Sequence, residues 1–370
     1  MDLPFPVEEV REGAARLLVP RVPRRKGPGT AGPWPFYNPT MRVNRDLSAI
    51  VLAKWPRPIR SALDGLAASG AWGIRMRLEA PVDRIAFNDR SVHAARLIRE
   101  NLRKNHIDAS VTSGGFASHL SSHTYDFVDI DPFGPPSPFL GPFLERAAIG
   151  TGFGVTATDT AVLGGTYPKA CLRRYGARPM RCPQGPEIGL RILLGYSARL
   201  AFESGKSIRP VLSFAAEHFL RIHGVVVPRQ RVPLGSIARR TAGDFAAVPQ
   251  GEHGAIGPLW MGPLHDSSVV RAMSPSEWTN PKSARLLSTI QGEADLPPFF
   301  VTTDEIAALE NGSPPRLAVF LEGLRERGYR AARTHFHPRG VRTDAPADDI
   351  RSVFRDCAPI GSTDGSRPAR

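Results

Sequence analysis

The chain is 370 residues long, 41% hydrophobic and formally +13 at neutral pH, which allows two domains or one large domain with additions. No apolar run approaches the roughly 20 residues of a membrane span, the acidic opening MDLPFPVEEVREG does not read as a signal peptide, and three cysteines without a Cys-x-x-Cys pair exclude a disulfide framework and point to a reducing, cytoplasmic setting. The charge comes from 42 arginines against 6 lysines; guanidinium forks onto phosphate and stacks on bases, so a polyanion, nucleic acid rather than membrane, is the expected partner.

The first segment, VEEVREGAARLLVP (7–20), alternates and predicts a strand or hairpin. RVPRRKGPGTAGPWP (21–35) is a basic Pro/Gly loop, and a helix is expected from about Asp46 within FYNPTMRVNRDLSAIVLAKW (36–55). Strands and helices then alternate. PIRSALD (58–64) reads as a strand, GLAASGAWG (65–73) as a glycine-bearing turn into a helix, and DRIAFND (83–89) as a second strand. RSVHAARLIRENLRKNH (90–106) has helical spacing. DASVTS (108–113), YDFVDID (125–131) and GFGVTATD (152–159) give three further strands, EIGLRILLGYSARLAFES (187–204) a long amphipathic helix, and SIRPVLSFAAEHFLRIHGVVV (207–227) a final hairpin. This order predicts an α/β fold: a Rossmann-like, doubly wound, mainly parallel sheet with ligand at the carboxyl ends of its strands.

Residues 228–270 are poorly periodic and read as a connecting segment, giving a first unit over 1–270. The second, 271–358, offers a capped helix in TTDEIAALENG, another in PPRLAVFLEGLRERG, a basic hairpin in YRAARTHFHPRGVRT and a last helix in ADDIRSVFRD. That order resembles a winged helix. The tail 359–370 is expected to be disordered.

Chemistry concentrates at strand ends. Asp64 closes the first strand before Gly65, Gly70 and Gly73, residues that let backbone approach a nucleotide-like ligand. The spacing misses the dinucleotide fingerprint and would also serve a tight strand–helix turn. Asp89 closes the second strand, where an acid can hold ribose hydroxyls or cap the next helix. The fourth strand ends in Asp131-Pro132-Phe133-Gly134. A carboxylate there can accept from an exocyclic base amine and drain the charge that forms on it during methylation. An adjacent aromatic can stack on an extruded base. A plain Asp-Pro turn is the structural alternative. His218, His223, His335 and His337 lack a nearby acid cluster, so strand packing or RNA contact is expected rather than metal; Cys171 lacks an evident His partner.

Six blocks, FYNPTMRVNRDLS, DFVDIDPFGPPSPFL, GVTATDTAVLGGTYPKACLRRYGARPMR, EIGLRILLGYSARLA, GPLWMGPLHD and YRAARTHFHPRGVRTDAP, together resemble the tRNA guanine-26 N2-dimethyltransferase family from about residue 7 to 355. The resemblance implies a class I methyltransferase with a seven-stranded sheet, S-adenosylmethionine as cofactor, a C-terminal tRNA-binding domain, and tRNA as partner; the sulfonium already activates its methyl group, so no metal is required, and no oligomer is implied, a monomer being the expectation. Carried over singly, it implies cofactor roles for Arg45, Asp64, Gly70, Arg75 and Asp89, with Ser113 and Gly114 beside the adenine. Asp131 matches the base, with Pro132 and Phe133 beside it. Thr156 and Asp159 fall in the guanine pocket, and Arg333, His335 and Arg339 contact tRNA. Two departures stand out: Trp72 occupies an arginine position of the family, and TSGGF lacks the acid often found after the third strand. Another RNA guanine-N2 or DNA adenine-N6 methyltransferase would share the sheet and motif. A silent RNA-binding protein or an NAD-dependent dehydrogenase are the readings from other classes.

Overall fold

The computed structural model describes residues 3–21, 34–241 and 243–358. Most of the Pro/Gly loop and the tail 359–370 lie outside them. Seven strands build the central sheet: β1 (Ile59–Asp64), β2 (Val82–Asp89), β3 (Ser110–Ser113), β4 (Phe127–Ile130), β5 (Gly152–Ala157), β6 (Lys206–Ala216) and β7 (Phe219–Pro228), in the spatial order β3-β2-β1-β4-β5-β7-β6. The first five run parallel, and β7 joins β5 antiparallel as half of the β6–β7 hairpin. Every residue of β4 and β5 is buried, as expected for central parallel strands covered on both faces by helices. Strand order reverses between β1 and β4, and a doubly wound sheet opens a crevice at such a point.

The expected elements are present with small shifts. The helix predicted from Asp46 begins earlier and spans Arg42–Ala53. The one predicted as amphipathic spans Gly185–Glu203 and is buried on nearly all sides, with even Glu187 and Arg191 inside. The segment read as a connection is itself folded: Leu234–Thr241 pairs with Asp244–Val248 and Ile256–Trp260 in a three-stranded antiparallel sheet. Its inward side chains Ile237, Ile256, Leu259 and Trp260 join the same apolar cluster as the Gly185–Glu203 helix.

In the C-terminal part the helices Thr303–Glu310 and Leu317–Glu326 precede the hairpin Ala331–Arg333/Gly340–Thr343, and the helix Ala347–Cys357 follows it. Thr302 and Glu305 form a reciprocal capping box at the first of these. This part is fastened to the sheet by a helix the sequence pattern did not suggest, Pro281–Glu293. Its Leu287 and Ile290 lie in the apolar cluster beneath the sheet, and Asp46 accepts from its Ser283 hydroxyl at 2.7 Å. The 270/271 division falls inside the short helix Ser267–Ala272.

Candidate active site

A cleft of about 610 Å³ opens at the carboxyl ends of the strands where their order reverses. Arg45, Asp64, Asp89, Gly114, Asp131, Pro132 and Phe133 all line it. Asp64, the last residue of β1, accepts a hydrogen bond from the Gly73 amide at 3.0 Å. A side chain at Gly65 would overlap the Phe116 ring and the Asp129 carbonyl, so the turn leaving β1 must be glycine. Gly70 starts the helix Ala71–Glu79 at φ +76°, a left-handed conformation that glycine adopts without strain. Asp89 spends one oxygen on the Ala68 amide at 2.9 Å and the other on the Ser91 amide at 2.8 Å. It thereby ties the β1 turn to the start of the next helix and faces the cleft.

The carboxylates crowd one another. Burial pushes the Asp64 carboxyl well above its ordinary range; repulsion from Asp129, Asp131 and Asp89 adds to that, against the Gly73 amide. Burial also raises Asp131, and Arg221, the Thr156 hydroxyl and Arg45 offset part of the shift. Asp131 lies above a buried polar layer. The Asn44 amide points at Asp131 (3.4 Å) and at the Thr156 hydroxyl (3.2 Å). Arg221 donates to the same hydroxyl at 2.9 Å and is ion-paired with Asp129. Ser48 and His223 close the layer at 3.1 Å from each other.

Phe133 is 47% exposed, and its ring meets Phe36 edge-on with centroids 4.5 Å apart. Gly134 is braced from the next strand: its amide donates to the Thr158 hydroxyl at 2.7 Å, and its carbonyl accepts from the Thr158 amide at 3.1 Å. The end of β4 thus presents a carboxylate and an aromatic face on a backbone fixed from both sides.

Several expected site residues lie elsewhere. Arg75 is fully buried outside the cleft, paired with Glu12, Asp46 and Glu79. Against the burial that would raise it, Arg45 and Arg75 hold the Glu12 carboxyl down at about 2. Arg45 is committed to Glu12 as well, while still lining the cleft. Ser113 is exposed just beyond the lining, and open space surrounds the neighbouring Gly114 and Gly115. Thr156 belongs to the buried layer instead of the cleft wall. Asp159 accepts from Tyr175 at 2.9 Å and Arg174 at 3.1 Å, anchoring the helix Pro168–Tyr175. Arg333 is exposed, and Arg339 is exposed and paired with Asp304. The His335 ring is wholly buried, bonded to Glu293 and accepting from the Ala215 amide at 3.2 Å, so the expected tRNA contact through it is corrected to a packing role.

The family model of N2,N2-dimethylguanosine tRNA methyltransferases matches residues 30–238 and 245–355. The chain belongs to this family. Relatives named tRNA (guanine(26)-N(2))-dimethyltransferase include one from Methanospirillum hungatei, 37% identical over 96% of this chain and 100% of its own length, and one from Thermococcus kodakarensis, 35% identical over 94% and 98%. Among solved structures, the complex of Trm1 from Pyrococcus horikoshii with S-adenosyl-L-methionine superposes with a TM-score of 0.82 at 31% identity, covering 95% of this chain and 99% of that one.

For a tRNA methyltransferase of this family, the residues that sequence patterns alone did not single out are Phe36, Asn44, Thr158 and Arg221. Phe36 and Asn44 stand inside a block notable for its neighbours, and the aromatic in a proline-bounded loop was the available signal. Nothing local marks Arg221, whose partner Asp129 is 92 positions away.

Proposed function

We propose that the protein transfers one or two methyl groups from S-adenosylmethionine to the exocyclic N2 amine of guanine 26 in tRNA. The observation that carries this reading is the Asp131–Gly134 turn, which holds a carboxylate and an exposed aromatic ring in the same cleft as Asp89 and Asp64. When bound, the cofactor supplies a methyl group already activated on positively charged sulfur.

The residues present fit that cofactor. Asp89 and Asp131 both repel the Asp64 carboxylate, and a ligand bearing sulfonium and ammonium charge relieves the repulsion. Asp89 has lone pairs left for a ribose diol after its two amide bonds, and the space beside Gly114 admits a flat ring against backbone. Arg45 lines the same cleft.

On the substrate side, Phe133 offers a stacking face to an extruded guanine. Asp131 accepts from the N2 amine, orients its lone pair and receives the proton that methylation releases. Asn44 and Thr156 keep the carboxylate turned toward the cleft. A second transfer needs the monomethylated amine to return with its remaining N–H on Asp131, so the pocket must leave room for one methyl group.

Residues 271–358 are assigned as the tRNA-binding unit, with Arg333 and Arg339 on its exposed face. The three unpaired cysteines suit a reducing, cytoplasmic setting, and a monomer is the proposed form; among the described residues no helix is long and apolar enough to cross a membrane.

The deciding experiment is nucleoside mass spectrometry of unmodified tRNA incubated with protein and cofactor. N2-methyl- and N2,N2-dimethylguanosine are expected and should vanish when guanine 26 is replaced by adenine. Persistence of the product in that transcript would move the target elsewhere.

A further inference from the structure

Beyond the cleft, one stretch of surface is strongly charged and mechanically joined to the Asp131–Gly134 turn. Residues 160–186 contain Lys169, Arg173, Arg174, Arg178 and Arg181 and no acid. Arg174 is spent on Asp159. Lys169, Arg173, Arg178 and Arg181 are exposed, and among the described residues none of their side chains is ion-paired. Tyr167 and Leu172 stand out on the same segment, 58% and 55% exposed.

The helix Pro168–Tyr175 explains this sorting. It buries Cys171 and Tyr175, and Tyr175 reaches Asp159 through its hydroxyl. The opposite face is left to Lys169, Leu172 and Arg173, spaced three and four apart. Asp159 directly follows Thr158, the residue hydrogen-bonded to Gly134 through both its backbone and its hydroxyl. The basic surface is therefore fixed to the turn that carries Asp131 and Phe133 through two adjacent anchor residues.

Four like charges gathered on one segment, without an ion pair among the described residues, repel one another, and two large apolar side chains are exposed on the same segment. A polyanion offsets the repulsion, and flat sugar and base surfaces cover the apolar pair. We infer that residues 160–181 form the shelf on which the tRNA backbone flanking the reacting guanine lies. Lys169, Arg173, Arg178 and Arg181 meet phosphates there, and Tyr167 and Leu172 pack on exposed nucleoside faces. This rests on the proposed activity and adds where its substrate docks.

The test replaces Lys169, Arg173, Arg178 and Arg181 by alanine, singly and together, and measures tRNA affinity as a function of salt. Each phosphate left without its cation should lower the slope of log K against log salt by about 0.7–0.9, so the fourfold variant should lose roughly 3 units of slope. Lys54→Ala and Arg60→Ala, at the far ends of their elements from the cleft, should leave it unchanged. Cofactor affinity by calorimetry, expected to be unaltered, reports that the fourfold variant is folded. A wild-type salt slope in that folded variant overturns the inference, as does a loss confined to binding of anionic lipid vesicles. The proposed activity fails separately: tRNA binding that depends on these residues without methylated guanine would leave the shelf standing, whereas methylation with unchanged KM in the fourfold variant would remove the shelf alone.

Discussion

Arg221 on β7 is bonded to Asp129 on β4 across the strand between them, passing over Gly154 of β5. Gly154 pairs with Asp129 on one side and His223 on the other, and a Cβ there would collide with both the guanidinium and the carboxylate. The glycine makes the ion pair possible, and the pair supports Thr156 and, through Asn44, Asp131. Gly154→Ala should destabilise the protein by about 1–3 kcal/mol through overpacking. Arg221→Met should cost about 3–5 kcal/mol, because it strands a buried carboxylate. Denaturant unfolding gives both numbers, and equal midpoints for Arg221→Met and wild type would deny the pair its role.

The chemistry of the site was legible where it is local. A buried apolar run closing on Asp-Pro-Phe-Gly names a strand, its end and the turn within a few residues, so Asp131 and Phe133 could be read directly; the same holds for Asp64 and Asp89. What failed depends on distant pairing. Both faces of β5 are covered, so alternation could not say that Thr156 points into the polar layer. Arg75 and Trp72 sit on the first turn and a half of one helix, but only the placement of Glu12, Asp46 and Glu79 decides that Arg75 is held away from the cleft. The 234–260 sheet was missed because burial along its first two strands does not alternate, which leaves no period of two to read.

Asp131→Asn preserves shape and removes the acceptor charge. Turnover should fall on the order of 10²- to 10⁴-fold, the usual worth of a positioned general base. Cofactor affinity should change little, since Asp64 and Asp89 remain. Single-turnover kinetics with calorimetry on the same preparation checks both, and near-wild-type turnover would remove Asp131 as the base.

Asp89 carries two jobs, and its replacement should reveal both. Asp89→Ala deletes the ribose acceptor and also frees the Ala68 amide, whose residue sits at φ +47°. Hydrogen bonds to a charged group contribute about 1.5–3 kcal/mol, so cofactor affinity should drop at least tenfold (about 1.4 kcal/mol). Unchanged binding by calorimetry would reject the ribose role.

The clustered acids predict an unusual pH dependence. Asp129, pushed up by burial beyond what Arg221 offsets, titrates at about 6 against an ordinary 3.8, and burial raises Asp64 as well. A raised acid binds its proton more tightly folded than unfolded, so it adds stability as pH falls through the folded value and loses it as pH rises again. Asp64→Asn removes one such charge. The variant alone should melt higher than wild type in alkaline buffer, and the gap should close on acidification as Asp64 takes up its proton in the fold. Its cofactor affinity should fall. A gap that widens on acidification would contradict the assignment.

Removing the C-terminal part is the obvious way to test it as a tRNA grip, and the packing says that this experiment will fail for another reason. A chain ending at 274 lacks the helix Pro281–Glu293, which carries Leu287 and Ile290 of the cluster beneath the sheet. It also lacks Arg342, which donates to Glu187 at 2.8 Å inside the protein. Burial would raise that carboxyl, but Arg342 and Arg191 together hold it low; with Arg342 gone, Glu187 keeps only Arg191. Breaking such a buried pair costs about 3–5 kcal/mol, and stripping two large aliphatic side chains from a core adds to it. The truncated chain should therefore unfold at lower denaturant and aggregate, with lost cofactor binding as the sign that the sheet itself has suffered. Arg333→Ala is the cleaner probe, because Arg333 is exposed on its strand. It should weaken tRNA binding and lower its salt slope by about 0.7–0.9, the share of one phosphate, while the melting temperature stays put; full cofactor affinity in the truncated protein would show instead that the two parts fold independently.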